Sequence, residues 1–406
     1  MFIHPLFTQI GGAERIARDL FKETKSNKYD SRLYTLFYST FLRGLKDVNF
    51  VSDKSPKFAN LFGHKINPFN TKLIKESAKK VAEDYEVGDK IIYTNFPGSL
   101  IVYYAQKLNS QIKDINYMCF EPDRILYYDE NIKYNFLPSN IKNNKYKLAS
   151  KLFSNWKKID KSVVNNSIKV FTMSETVLEQ TNRVYEFNKC FKAFEYYVDT
   201  RDVEAMTKMD AREFLNRDLK TDLKEEDLVF VVMSRLEKSK GFIELFNILE
   251  KIKEKEGKLP FKLLISGNGS LKEFVENKAK EFDNVFYLGY VDDKFTLLSA
   301  GDVFLFLGQK ETGGPLVLLE SMYVKNLAIT SNQGGPMEII VNGKNGFFVD
   351  PENIENTIEV IMDVIDLYKM NKQKFKEIAF AGHETIAKQF SFRTSYWDFE
   401  KNVLNN

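Results

Sequence analysis

Two glutamates, two cations and a series of paired glycines are the residues of this chain whose types and spacing suit chemistry. Glu311 and Glu320 flank the run Gly313-Gly314-Pro315-Leu316, and Gly334-Gly335-Pro336-Met337-Glu338 follows. Arg235 and Lys240 lie upstream on one polar stretch that ends in Gly241. Paired glycines let a ligand approach the backbone closely. Proline suits the first helical position, because its missing N–H would have no intrahelical partner there. A helix is therefore expected to begin at Gly314 and Pro315, with open N–H groups and the positive end of its dipole forming an anion site. Arginine offers a planar fork and lysine a point charge, so the two cations on one loop suit a diphosphate. Glu311 precedes the glycine turn, with Thr312 beside it, and Glu320 falls more than a turn inside the expected helix.

These groups need strands to aim them. Residues 303–307, 327–330 and 346–349 have the length and composition of buried parallel strands. So do residues 228–233, before Arg235, and 263–266, before the turn Gly267-Asn268-Gly269. A dinucleotide fingerprint would put a third glycine at 272, where Lys272 stands, so Gly267 reads as one more strand-to-helix turn beside the same site. Turns at the carboxyl ends of neighbouring parallel strands are where open α/β sheets bind ligands. Earlier in the chain, strands are expected at 1–5, 32–38, 90–94, 115–120 and 169–173, with helical patterns at 73–83 and 100–108 between them. Gly11 and Gly12 follow the first strand and open a helix with Ile16, Ala17, Leu20 and Phe21 on one face. That turn is either a phosphate-approach loop or a plain strand-to-helix connection. The alternation predicts an α/β fold with helices on both faces of each parallel sheet. Residues 201–227 are dense in charge and lack strand character, so they read as a linker with a surface helix, dividing a domain of residues 1–200 from one opening at 228.

The bulk properties agree with two ordinary domains. The chain has 406 residues, 43% of them hydrophobic, enough for two substantial cores. Cys119 and Cys190 give neither a disulfide framework nor metal-ligand spacing, and a reducing cytoplasm is the expectation. His4, His64 and His383 are too scattered to suggest a metal site. No apolar run is long enough for a membrane-spanning helix, and the first residues lack the layout of a signal peptide. The net charge of +3 hides an asymmetry: residues 131–161 hold eight lysines against Asp160 alone, +7, leaving −4 elsewhere. Aromatic and aliphatic residues, including Phe136, Phe153 and Trp156, interleave with these lysines. The ordinary reading is a solvated helix whose apolar side packs on the domain. The alternative is a peripheral contact of 133–161 with an anionic membrane. Nucleic acid is not an expected partner, since no recognition motif is present.

The stretch from Glu311 to Glu338 resembles the donor-sugar site of retaining nucleotide-sugar glycosyltransferases, in particular family 4 of the GT-B fold. That family's pattern is Glu, seven residues, Glu, a strand, then Gly-Gly-x-x-Glu. Eight residues separate Glu311 from Glu320 here, so either Glu311 reaches the family's position through a bulged turn or Thr312 replaces that carboxylate. The run from Gly11 to Arg15 is similar to the family's first loop, and Arg235 with Lys240 to its pyrophosphate clamp. Residues 117–129 are similar to a family segment in which a histidine precedes a proline and an arginine; Phe120 occupies the histidine position, with Glu121 and Arg124 as acceptor-side candidates.

The resemblance implies two Rossmann-like domains facing across a cleft: residues 1–200 for the acceptor, 228–385 for the nucleotide-sugar, and a helix in 386–406 crossing back to the first. It implies that Glu320 takes the ribose hydroxyls. Arg235 and Lys240, with N–H groups at Gly314 and Leu316, would hold the diphosphate. Glu311 or Thr312 would orient the sugar, and Gly11, Gly12, Gly267, Gly313, Gly334 and Gly335 would line the donor site. The implied reaction is sugar transfer with retention, without a cofactor, to a saccharide or lipid-linked acceptor in cell-surface polysaccharide or glycolipid assembly. Metal-dependent enzymes of the other major fold need two aspartates one residue apart, a spacing absent from this sequence. The competing readings are an epimerase or phosphorylase on the same fold, or a nucleotide-sugar-binding relative without catalysis.

Overall fold

Short runs rich in buried β-branched, aliphatic and aromatic residues form two separate parallel sheets in the computed structural model, which describes residues 1–405 apart from 6, 8–10, 28, 38, 53–70, 124–125, 128–152, 202, 204–205 and 310–312. One unit comprises Met1–Phe194 and Tyr396–Asn406, the other Glu195–Ser395.

The first unit contains strands β1 (Phe2–Ile3), β2 (Leu33–Phe37), β3 (Val48–Ser52), β4 (Ile91–Thr94), β5 (Ile115–Met118), β6 (Lys169–Thr172) and β7 (Cys190–Lys192). They pair in parallel in the order β3-β2-β1-β4-β5-β6-β7. The chain runs from β1 outward to β3, then returns to the other side of β1 with β4. That reversal is the topological switch point of a doubly wound sheet. Helix Gly12–Ser26 buries the expected face of Ile16, Ala17, Leu20 and Phe21. The last residues of the chain belong to this unit: Phe399 packs against Phe2, Phe171 and Phe194. The Lys90 ammonium bonds the carbonyls of Val403 and Leu404, and that of Lys169 bonds Asn402. These carbonyls end the final helical stretch, where cations are favoured by the exposed C=O groups.

The second unit has the same plan with six parallel strands, β8 (Val229–Met233), β9 (Lys262–Ser266), β10 (Val285–Tyr287), β11 (Val303–Phe306), β12 (Leu327–Ser331) and β13 (Phe347–Val349), in the order β10-β9-β8-β11-β12-β13. Its switch point lies between β8 and β11. The core joins Phe230, Val232, Leu263, Ile265, Val303 and Leu305 of the strands to Phe242, Phe246 and Ile252 of the helix Phe242–Glu256. Full burial of such side chains contributes about 1.5–3 kcal/mol each.

Three expectations need correction. The second unit begins at Glu195, not 228, and residues 201–227 are not a linker between domains. Their helix, Lys208–Leu219, belongs to this unit and is anchored by Arg212, whose fully buried guanidinium bonds Asp302 at 2.8 Å and the carbonyls of Ala300, Lys224 and Glu225. The return to the first unit falls at Tyr396, ten residues after 386. Pro315 is the residue capping its helix, which runs Leu316–Tyr323, so it stands one place earlier than expected. The α/β expectation holds for both units.

Candidate functional site

In the second unit, four strand-ending loops meet at the carboxyl edge of the sheet, and backbone contact decides how. After β8 the chain passes Ser234-Arg235-Leu236 and a turn of 3₁₀ helix, Lys238–Lys240. Gly241 then reverses into helix Phe242–Glu256 with φ +75°, a left-handed conformation that suits glycine. A Cβ there would also lie 2.3 Å from the Leu307 carbonyl oxygen. The Arg235–Lys240 loop is thus pressed against the exit of β11, and the N–H of Gln309 donates to the Ser239 carbonyl at 2.8 Å. On its other flank lies the turn after β9. The Leu236 N–H donates to the Asn268 carbonyl, and a Cβ on Gly267 would meet the Ser234 carbonyl oxygen at 1.9 Å. Gly267 therefore serves the packing of this loop.

The two glycine turns expected to grip a diphosphate lie against each other. A Cβ on Gly335 would fall 2.2–2.3 Å from the Gly313 C and O and the Gly314 N. Ser331 at the end of β12 donates its hydroxyl to the Gly308 carbonyl at 2.6 Å, tying the same two loops together. Tyr196, near the start of the unit, packs its ring on Gly314 and its hydroxyl against Gly313. Gly334 takes φ +60° and opens the short 3₁₀ turn Gly335–Glu338. Helix Leu316–Tyr323 starts directly behind this backbone crossing.

Arg235 is exposed at the edge of this arrangement. The Lys240 ammonium stands 5.6 Å from the centre of the Phe306 ring, at the end of β11. Glu320 is buried in the helix, and its Oε1 accepts a hydrogen bond from the Lys294 ammonium at 2.6 Å. Sequence reasoning missed Lys294. It follows the turn Tyr290-Val291-Asp292-Asp293, and no motif joins it to a glutamate 26 positions away. The structure therefore gathers Arg235, Lys240, Gly267, Gly313, Gly314, Leu316, Glu320, Gly334 and Gly335 within one unit. Glu311 and Thr312 lie outside the described residues.

In the first unit, the positions singled out lie at its own strand ends. Gly11 caps helix Gly12–Ser26, and its N–H bonds the Glu14 carboxylate at 2.9 Å, so that donor is already engaged by a local anion. His4, just past β1, is buried and its Nδ1 lies 2.6 Å from the Thr94 hydroxyl at the end of β4. Its ring centre is 6.2 Å from that of Phe120 and 4.5 Å from that of Phe7. Glu121 is half-buried; Arg124 lies outside the described residues. Of the lysine-rich stretch, the described helix Ser154–Asn166 buries Val163 and Val164, and Trp156 rests on Phe96 and Phe153, so its apolar side faces the domain. Residues 133–152 lie outside the described residues. Burial pushes the Cys119 thiol up to about 12 and raises that of Cys190, which makes neither a ready nucleophile.

Among the described residues no cluster of metal-ligating side chains occurs and no helix is long and apolar enough to cross a membrane.

Comparison with known proteins follows the same division. The family model for glycosyl transferases group 1 matches residues 216–379, which lie in the second unit. The N-acetyl-alpha-D-glucosaminyl L-malate synthase of Bacillus anthracis is 25% identical over 259 residues, 60% of this chain and 62% of that protein. The 2-deoxystreptamine N-acetyl-D-glucosaminyltransferase of Niallia circulans is 28% identical over 142 residues, 34% of this chain and 35% of its own length. The chain thus spans less than two thirds of these curated relatives. Among solved structures, Anabaena HepE in complex with UDP and glucose superposes with a TM-score of 0.71 at 15% identity, covering 100% of this chain and 99% of that one. A glycosyltransferase from Rickettsia africae gives 0.70 at 19% identity, covering 100% and 98%. These likenesses establish the fold, that of GT-B glycosyltransferases.

Proposed function

We propose, for a chain whose residues 216–379 are a glycosyl transferases group 1 domain, that it transfers a sugar from a nucleotide-diphosphate-sugar to a saccharide or lipid-linked acceptor. The observation that carries the proposal is the backbone crossing of Gly335 on Gly313 and Gly314 beside the Arg235–Lys240 loop. Close-packed glycine turns at a helix start leave N–H groups for an anion, and two cations on an adjoining loop supply the charge a diphosphate needs. In this reading Glu320 accepts hydrogen bonds from the ribose hydroxyls, and Glu311 or Thr312 orients the sugar. Glu121, Arg124 and the ends of the first unit's strands serve the acceptor.

The chemistry follows from where charge develops. As the sugar leaves the diphosphate, negative charge grows on the phosphate oxygens. Arg235, Lys240 and the N–H groups of Gly314 and Leu316 stabilise that charge, without a metal ion. Preorganised donors of this kind are often the largest catalytic contribution. No carboxylate is assigned as a covalent nucleophile, so the acceptor attacks on the face the diphosphate leaves, which retains the anomeric configuration. The departing phosphate helps to take the acceptor's proton. Assembly of cell-surface polysaccharide or glycolipid is the setting proposed, with any peripheral membrane contact made through 133–161.

Thermal stabilisation by a panel of nucleotide-sugars tests the donor class directly. A ligand at 100 times its dissociation constant adds about 2.7 kcal/mol. UDP-sugars come first, since HepE was solved with UDP and glucose. With the donor known, Lys240→Ala should lower turnover at least tenfold, and unchanged turnover would remove the clamp from the reading. Isomerisation of the donor without acceptor would favour an epimerase, and binding with no transfer a non-catalytic relative.

A further inference from the structure

We infer that Lys294 is a positioning residue for the nucleotide's ribose: by holding the Glu320 carboxylate it makes the site prefer ribonucleotides over 2′-deoxyribonucleotides. The inference rests on the reading of Glu320 given above. The side chain of Glu320 is only 5% exposed, and the lysine that meets it comes from a different loop, with its own side chain 26% exposed. A carboxylate taken out of water at this depth carries a desolvation cost that an opposite charge offsets. The pair also sets geometry. Lys294 opens the helix Lys294–Ser299, and that start is pinned by Asp293, whose side chain accepts hydrogen bonds from the N–H and hydroxyl of Thr296 at 3.1 and 2.5 Å. The Lys294 ammonium is further confined at 4.9 Å from the centre of the Phe295 ring.

A carboxylate has about four lone-pair positions on its two oxygens. The Lys294 ammonium takes one of these on Oε1 and fixes which way the group faces, and in this reading a diol takes others. The ribose 2′- and 3′-hydroxyls are neighbouring donors, and a carboxylate held in one orientation can take both. With the ammonium removed, the carboxylate loses that restraint on its orientation, and the second hydroxyl adds less. The predicted signature is thus a change in ribose discrimination, beyond any change in overall affinity.

The test measures binding of UDP, GDP and ADP, each beside its 2′-deoxy counterpart, by titration calorimetry on the full chain. The base that binds tightest is carried forward. The wild type should favour the ribonucleotide about tenfold, the range of one hydrogen bond to a charged group. Lys294→Met should bring that ratio to within about twofold of unity, and Lys294→Arg, which keeps the charge, should restore most of it. An unchanged ratio in folded Lys294→Met overturns the inference. Where Lys294→Met does not fold, Glu320→Gln is compared with Glu320→Gln/Lys294→Met. Equal ratios show that the lysine acts through the glutamate, and a further loss in the double variant overturns that. A wild type that binds none of the six nucleotides removes the nucleotide reading of the site, and the role of Lys294 with it; binding at an unchanged ratio removes the role alone.

Discussion

The two units bury carboxyl groups in different company. In the first, Asp160 of helix Ser154–Asn166 is 2% exposed and accepts hydrogen bonds from the hydroxyls of Ser99, Tyr127 and Tyr185, the latter two at 2.6 and 2.9 Å, with no cation bonded to it among the described residues. In the second, Asp302 takes Arg212 at 2.8 Å and Lys208 at 2.5 Å, and Glu320 takes Lys294 at 2.6 Å. Hydroxyls satisfy the oxygens without cancelling the charge, and burial pushes the Asp160 carboxyl up to about 6. Cation pairs instead fix an ion and its direction. The difference teaches what each unit requires of its interior: the first tolerates a group that is uncharged in mild acid, whereas the second places fixed charges where loops must be held.

The largest expected effect breaks the second unit's side of this contrast. Arg212→Leu leaves Asp302 with the Lys208 ammonium and the Val229 N–H, and takes the guanidinium away from the carbonyls of Ala300, Lys224 and Glu225. Removing one partner of a buried pair costs about 3–5 kcal/mol. Hydrogen exchange of the second unit's strands should show the loss. A cost below about 1 kcal/mol would mean that the pair is no more than a surface bridge.

The next effect is a pH dependence confined to the first unit. The Asp160 carboxyl titrates near 3.8 in the unfolded chain and near 6 in the folded one. Below the unfolded value both states hold the proton and this group's contribution is fully present. As pH rises toward 6 the unfolded chain gives up its proton first, so stability falls, and above 6 the penalty stays constant. Each tenfold difference in proton affinity between the two states is worth about 1.36 kcal/mol, so the loss across this window is about 3 kcal/mol. Both tryptophans, Trp156 and Trp397, belong to the first unit, so intrinsic fluorescence during urea denaturation reports on it. Asp160→Asn should flatten the slope between pH 4 and 6; an unaltered slope would assign it to other groups.

How much of this is legible in the sequence follows from what each feature is made of. β8 and β11 are continuous apolar runs and β12 opens on one, each too short for an ordinary helix, and they lie where the sequence pattern puts them. β3 and β7 are not foreseen by any pattern. The first is only half-buried along its length and the second has three residues, so neither carries a strong signal. The charge-dense residues 201–227 hide a helix whose anchor is a buried arginine, and a charged residue reads as surface until its partner is known. The glycine turns and the Arg235–Lys240 spacing are readable because a backbone approach restricts the residue type. The Lys294–Glu320 pair is not, because side chains from separate loops meet without leaving a spacing rule.

The smallest effects sharpen the comparison at its finest grain, one methyl group in each unit. Gly335→Ala sets a Cβ 2.2 Å from the Gly313 backbone, where no side chain can move aside, so either the two turns separate or the strand end shifts. Overpacking of this kind costs about 1–3 kcal/mol, and nucleotide binding should weaken about tenfold or more if the turns part. Gly98 in the first unit is buried too, yet a Cβ there would meet the Tyr93 ring at 3.6 Å and Pro5 at 3.8 Å, which is ordinary contact. It is also the first residue of helix Gly98–Leu108, where alanine is the better helix former. Gly98→Ala should therefore leave thermal stability within about 0.5 kcal/mol of the wild type or slightly above it. A clear loss at Gly98 together with none at Gly335 would reverse the contrast, because it would mean that the first unit's interior, and not the second's loop crossing, is what excludes a methyl group.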